Sequence, residues 1–188
     1  RLMCGDATNA DDVVNLVGSD IFRAVVTSPP YAAQRAYKTG AFDWLQLANG
    51  FFAALVPHAG KSTDVLVNLG IVHRDGEVDC YWGEWLAECK RINWPLYGWY
   101  VWDKGSGMPG EWNGRLAPAH EFVFHFNAGR QSACKWVATS PTSVKRGSHG
   151  HSSRQKNGTL KAFTSPGKVG HAFKVPDSVI RVNSEHAR

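Results

Sequence analysis

No apolar run in this chain approaches the roughly 20 residues that a membrane-spanning helix needs. The opening RLMCGDATNADD has none of the charge and hydrophobic order of a secretory leader, so a membrane role is not expected. Sulfur is sparse too. Cys4, Cys80, Cys89 and Cys134 stand at no CxxC spacing, which excludes a zinc-ribbon pattern and argues for reduced, mostly buried thiols in a cytoplasmic protein. No metal site and no internal repeat emerge. Acidic residues nearly vanish from the C-terminal third: residues 129–188 hold eleven Lys/Arg against only Asp177 and Glu185, a net +9, whereas residues 1–128 carry −4. An acidic-to-neutral body joined to a basic segment suggests a scaffold domain with an attached polyanion-binding region.

What is present is a chain of 188 residues, 43% hydrophobic and 20% charged, sufficient for one domain with a core and an appendage. Short apolar stretches alternate with helical ones. LMCG (2–5), FRAVVTS (22–28), TDVLVNLGIV (63–72), PLYGWYVWDK (95–104) and EFVFHFN (121–127) read as strands, the last by clean alternation. DDVVNLVG (11–18), FDWLQLANGFFAALVPH (42–58) and EVDCYWGEWLAECKRIN (77–93) read as helices, the second closed by Pro57 and the third bearing Lys90 and Arg91 in its last turn. The alternation predicts an α/β fold, a Rossmann-like, mainly parallel sheet with helices on both faces, and ligands at the carboxyl ends of its strands. Six of the eight tryptophans lie between Trp82 and Trp112 and serve either a core or an aromatic pocket.

After Asn127 the sequence turns rich in Ser, Gly, Thr, Lys and Arg without sustained periodicity, a basic, irregular C-terminal region. Two readings fit: a solvated loop region, or an insert whose cations meet phosphates while Ser, Arg, Gln and Asn reach base edges.

The stretch AVVTSPPYAAQ stands apart. An apolar strand climbs directly into Thr27-Ser28-Pro29-Pro30-Tyr31, where two prolines remove two backbone donors and fix both φ angles. Such a rigid corner, with an aromatic ring beside it, suits a site that clamps something flat.

Preceded by Gly5-Asp6 and followed by Trp102-Asp103-Lys104, Arg115, Pro118-Ala119-His120-Glu121-Phe122-Val123-Phe124 and the basic segment, Ser28-Pro29-Pro30-Tyr31 resembles the signature of the amino-group DNA methyltransferases in their permuted, beta-class order. The resemblance implies transfer of a methyl group from S-adenosylmethionine to an exocyclic nitrogen of a base swung out of double-stranded DNA. It implies Ser28, Pro29, Pro30 and Tyr31 as the catalytic corner, with Ser28 and the Pro29 carbonyl accepting the amino N–H groups and Tyr31 stacking on the base. Gly5, Asp6 and Ser28 would approach the cofactor, although Asp6 reads equally as a turn or helix cap. Residues 1–128 would form a partial catalytic core and 129–188 the target-recognition region, with Lys145, Arg146, Arg154, Lys156 and Lys161 as phosphate contacts. Lys104, His120 and Glu121 match family landmarks without an assigned chemistry. Serine at the first motif position favours N4 of cytosine over N6 of adenine, and the family implies a bacterial, archaeal or phage origin.

One expected part is missing. The family's Phe-x-Gly-x-Gly-like loop for the methionine end of the cofactor is not found, since Gly105-Ser106-Gly107-Met108-Pro109-Gly110 precedes the recognition region and opens no helix. The sequence therefore reads as a fragment, as a split half completed by a partner chain or homodimer, or as a catalytically silent DNA-binding homologue. An unrelated α/β domain with a basic end for RNA or acidic protein leaves the Pro-Pro corner unexplained.

Overall fold

The computed structural model of the protein describes residues 1–31, 43–107, 109–129, 135, 137–138, 149–165 and 173–181. In chain order the elements are α1 (Ala10–Val17), β1 (Phe22–Thr27), α2 (Trp44–Leu55), β2 (Ala59–Leu69), β3 (Val72–Arg74), β4 (Glu77–Asp79), α3 (Gly83–Arg91), β5 (Leu96–Asp103), β6 (His120–Phe126), β7 (Val137–Ala138), β8 (His149–Arg154), β9 (Leu160–Ser165), β10 (Phe173–Lys174) and β11 (Val179–Arg181). The chain divides into two compact units, Arg1–Gln131 with Ser178–Arg188, and Ser132–Asp177.

The first unit is built on a five-stranded sheet in the order β1-β2-β6-β5-β11. β1 pairs parallel with β2 and β11 parallel with β5, while β6 runs antiparallel to both of its neighbours. Four strands thus point one way and one the other, a mixed α/β sheet that is mainly parallel. The helices start where their caps dictate. Asn9 accepts from the backbone N–H groups of Asp11 and Asp12 to open α1, and Asp43 does the same for Leu45 and Gln46 to open α2. Asp11 and Asp12 also sit favourably in the first turn of α1.

Strict alternation along β2 sends Val65, Val67 and Leu69 to one face and Asp64, Leu66 and Asn68 to the other. On β6 the same rule sends Phe124 and Phe126 inward beside them. Trp44, Ala48, Phe52 and Leu55 of α2 and Trp85 and Cys89 of α3 close over this face. Phe52 packs edge-to-face, 5.2 Å from Phe126 and 5.7 Å from Trp85, and Trp85 lies tilted 4.9 Å from Phe126. Burial of the Cys89 thiol in this cluster pushes its pKa up to about 12.

Midway along β2 a polar chain crosses the opposite face. The His125 ring is 2.9 Å from Asp64 through Nε2 and 2.8 Å from the Tyr100 hydroxyl through Nδ1, and Asn127 donates to Asp64 at 2.7 Å. β11 is tied to β5 by Arg181, whose Nε donates to Asp103 at 3.0 Å.

Several local expectations are revised. Residues 2–5 form no strand, and Leu2 is fully exposed. The helix expected over 77–93 is instead a hairpin arm followed by the shorter α3, because Asp75 and Gly76 adopt left-handed angles (φ 51° and 86°) and fold β4 back on β3. Cys4 and Cys80 are exposed rather than buried. α2 and α3 cover the Val65–Phe124 side, and on the other side Val26 is 76% exposed.

In the second unit, β8 and β9 form an antiparallel hairpin. Its turn is closed by Gly158 N–H to Gln155 C=O and Gln155 N–H to Thr159 C=O, with Gly158 at φ 85°. β7 and β10 form a second antiparallel pair. Among the described residues no helix is long and apolar enough to cross a membrane, and no cluster of three or more His, Cys, Asp or Glu is placed to hold a metal.

Phe52 is 1% exposed at the centre of the aromatic cluster. Phe52→Ala is expected to cost about 3–5 kcal/mol of unfolding free energy, read from denaturant midpoints. Val26→Ala on the open face should stay within about 0.5 kcal/mol. Equal losses at the two positions would contradict a core confined to one face.

Candidate active site

β1 delivers the chain into Ser28-Pro29-Pro30-Tyr31 at its carboxyl end. Asn68 lies near the carboxyl end of β2, Lys104 just past β5, and Glu121 near the start of antiparallel β6, so all four elements bring polar side chains to one end of the sheet.

They meet through hydrogen bonds. The Tyr31 hydroxyl is 2.9 Å from Asn68 Oδ1 and 3.0 Å from Glu121 Oε2. Ser28 Oγ is 3.2 Å from the same Asn68 oxygen and 3.3 Å from the Tyr31 hydroxyl. The orientation of the Asn68 amide is set from behind, because its Nδ2 donates to the Phe122 carbonyl at 3.1 Å. Lys104 Nζ takes the other carboxylate oxygen of Glu121 at 2.5 Å and lies 5.4 Å from the centre of the Trp102 ring. Burial raises the Glu121 pKa, but the hydrogen bonds from Lys104 and Tyr31, with the Lys104 charge, hold it below the usual carboxylate range. At neutral pH Glu121 is an anion.

The Tyr31 ring packs on Gly70, where a β-carbon would stand 2.7 Å from the ring. The Gly70 carbonyl accepts from the Tyr81 hydroxyl at 2.9 Å, and burial, followed by the neighbouring Tyr31, drives the Tyr81 pKa upward. Ser28 itself is exposed.

Pro29 and Pro30 line a cavity of about 390 Å³ together with Gly5, Asp6, Thr8 and the α2 side chains Trp44, Leu47 and Phe51. Asp6 is a turn residue: its Oδ1 accepts from the Thr8 backbone N–H and hydroxyl, both at 2.8 Å, and the Thr8 N–H bond is the main reason its carboxyl titrates below the ordinary range. Helix α1 is capped by Asn9 instead. Trp44 and Trp85 also line the cavity, and their indole N–H groups are buried without a hydrogen-bond partner among the described residues. A flat, largely apolar body, such as the adenosyl group of S-adenosylmethionine, fits a cavity walled by these rings and prolines.

Of the other expected residues, Arg154, Lys156 and Lys161 are exposed on the β8–β9 hairpin, while Lys145 and Arg146 lie outside the described residues. His120 packs edge-on against Phe122, 5.2 Å between ring centres. Asn68 was not anticipated. Its signal is a lone amide inside the apolar run VLVNLG, on the face opposite the core.

No protein-family model matches the chain, and no curated protein matches it in sequence. Solved structures do. The PvuII DNA methyltransferase (cytosine-N4-specific) superposes with a TM-score of 0.56 at 17% identity, over 98% of this chain and 57% of its own. TTHA0409 of Thermus thermophilus, assigned as a DNA modification methylase, superposes with a TM-score of 0.50 at 18% identity, over 78% of this chain and 58% of its own. This chain thus spans less than two thirds of either neighbour. At these identities the likeness is one of fold, shared with these two DNA methyltransferases.

Proposed function

We propose that the chain is the catalytic and target-recognition portion of an S-adenosylmethionine-dependent DNA methyltransferase acting on an exocyclic amino nitrogen, N4 of cytosine in preference to N6 of adenine. The observation that carries this reading is the anchored corner. Ser28 and Tyr31 are fixed by Asn68 and Glu121 at the carboxyl end of β1, and Pro29 and Pro30 form a wall of the cavity shared with Gly5 and Asp6.

An exocyclic amino group is a weak nucleophile because its lone pair is delocalised into the ring. The Pro29 carbonyl and Ser28 Oγ accept its two N–H groups, which favours a pyramidal nitrogen whose lone pair points toward the cavity. Proline rigidity holds that carbonyl in place before the base arrives. The Tyr31 ring supplies the stacking surface. Bound S-adenosylmethionine supplies a methyl group on a sulfonium centre. As the nitrogen gains the methyl it sheds one proton to water past the exposed Ser28. Serine at position 28 and the overall likeness to a cytosine-N4-specific enzyme favour cytosine. The basic segment after residue 128 binds double-stranded DNA, its cations meeting phosphates.

The direct test is transfer of labelled methyl from S-adenosylmethionine to mixed-sequence DNA, followed by digestion to nucleosides. Label on N4-methylcytosine supports the full reading, and label on N6-methyladenine corrects the base. DNA binding without label would favour a silent DNA-binding module. Tyr31→Ala should lower kcat/KM roughly 10- to 100-fold, the equivalent of about 1–3 kcal/mol of lost stacking; an unchanged rate removes Tyr31 from the site. Replacing Arg154, Lys156 and Lys161 together by Ala should reduce the slope of log affinity against log salt by about three. An unaltered slope would take the hairpin out of the DNA interface.

A further inference from the structure

No Asp or Glu lies between residues 149 and 165, the span of the β8–β9 hairpin. Arg154, Lys156 and Lys161 are exposed there, which suits a polyanion. The register sets Arg154 opposite Leu160 and Ser152 opposite Ala162, so these four share one face of the ribbon. Ser153 opposes Lys161 on the other face, and Gln155 joins them, its Nε2 donating to Ser153 Oγ at 3.1 Å. The end of the hairpin is fixed as well. Thr159 sends its backbone N–H and its hydroxyl to Asn157 Oδ1, at 3.1 and 2.7 Å, beside the bonds that close the turn. Phosphates account for the cations but not for the apolar pair. Leu160 is 67% exposed, and Ala162 is exposed next to it on the same face, level with a guanidinium rather than with any core.

A two-stranded ribbon fits the major groove of B-form DNA, where base edges present donors, acceptors and, on thymine alone among the four bases, a methyl group. We propose that the Leu160–Ala162 face of the hairpin reads thymine: the two side chains pack against its C5-methyl group while Arg154, Lys156 and Lys161 hold the flanking phosphates. The inference rests on reading the basic region as a DNA-binding segment, and it adds the groove that segment enters and the group it recognises. Covering Leu160 with a methyl group removes apolar surface from water on both partners, whereas a phosphate offers it nothing. The fixed turn keeps Leu160 level with Arg154, so the methyl-reading face is tied in position to a backbone contact. Duplex RNA does not match this face, since uracil lacks the methyl group and the RNA major groove is too deep and narrow for side chains to read.

The test needs no cofactor. Two DNA duplexes of one mixed sequence are made, with thymine or with deoxyuridine in its place throughout, and their binding to the full chain is followed by fluorescence anisotropy. Uracil keeps the pairing, the O4 acceptor and every phosphate and removes only the methyl group, so charge contributions cancel in the ratio of affinities. The wild-type chain is expected to bind the thymine duplex about three- to tenfold more tightly, as burial of a single methyl group implies. Leu160→Ala should bring the ratio toward one, and Leu160→Met, which restores an apolar side chain, should keep most of it. Neither should alter the slope of log affinity against log salt, because the cations of the hairpin stay in place. A wild-type ratio near one, a ratio that Leu160→Ala leaves unchanged, or a Leu160→Ala chain whose salt slope collapses along with its ratio overturns the proposal. No affinity for either duplex removes the DNA-binding reading as well, whereas failed methyl transfer with the ratio intact leaves this inference standing.

Discussion

Strand β6 is where the molecule's packing and its chemistry are forced into register. It is the strand that runs against the others, and it sits between β2 and β5, so Phe122 to Phe126 have strand neighbours on both sides while Glu121 is paired with β5. Period-two alternation gives Phe124 and Phe126 to the aromatic core and leaves Glu121 on the opposite face, level with Trp102. A slip of one residue would bury the carboxylate and expose the phenyl rings, so the energy that packs Phe52 and Trp85 against this strand also fixes where Glu121 stands. The Phe122 carbonyl extends the same control to β2 by holding the Asn68 amide. The catalytic-looking corner of β1 thus takes its geometry from strands paired elsewhere in the sheet.

Rigidity at the corner comes from two sources of different kind. The prolines limit the backbone through covalent geometry, independent of any partner. The side chains of Ser28 and Tyr31 are limited through hydrogen bonds to residues forty and ninety positions away. The first source acts even in a loosely folded chain, whereas the second exists only once the sheet is assembled. A preorganised site needs both, since a fixed carbonyl beside freely rotating hydroxyls would leave half of the acceptor set undefined.

What could be read from the sequence follows this division. The corner was visible because local chemistry makes it, and α2, β1 and β6 were visible because their apolar spacing is strong and their caps or breakers are standard. The β3–β4 hairpin was hidden although Asp75-Gly76 is a strong turn signal, because the residues after it also satisfy a helical pattern. Asn68 was hidden for a different reason. A single amide in an apolar strand has no local meaning, and its partners are supplied by tertiary pairing. Lys104 and Glu121 stood out as residues without revealing that they form one ion pair bound to Tyr31.

Gly70 gives the site a separate vulnerability. The Tyr31 ring lies against it with no room for a methyl group, yet Gly70 follows β2 rather than sitting within it, and its carbonyl is held by Tyr81. Alanine there would trouble the ring far more than the sheet. A chain that no longer needed the site could accept that change and still fold, so the demand for glycine at this position comes from the corner rather than from the scaffold. Among descendants of a common ancestor, its loss would mark the branches in which the fold outlived its use.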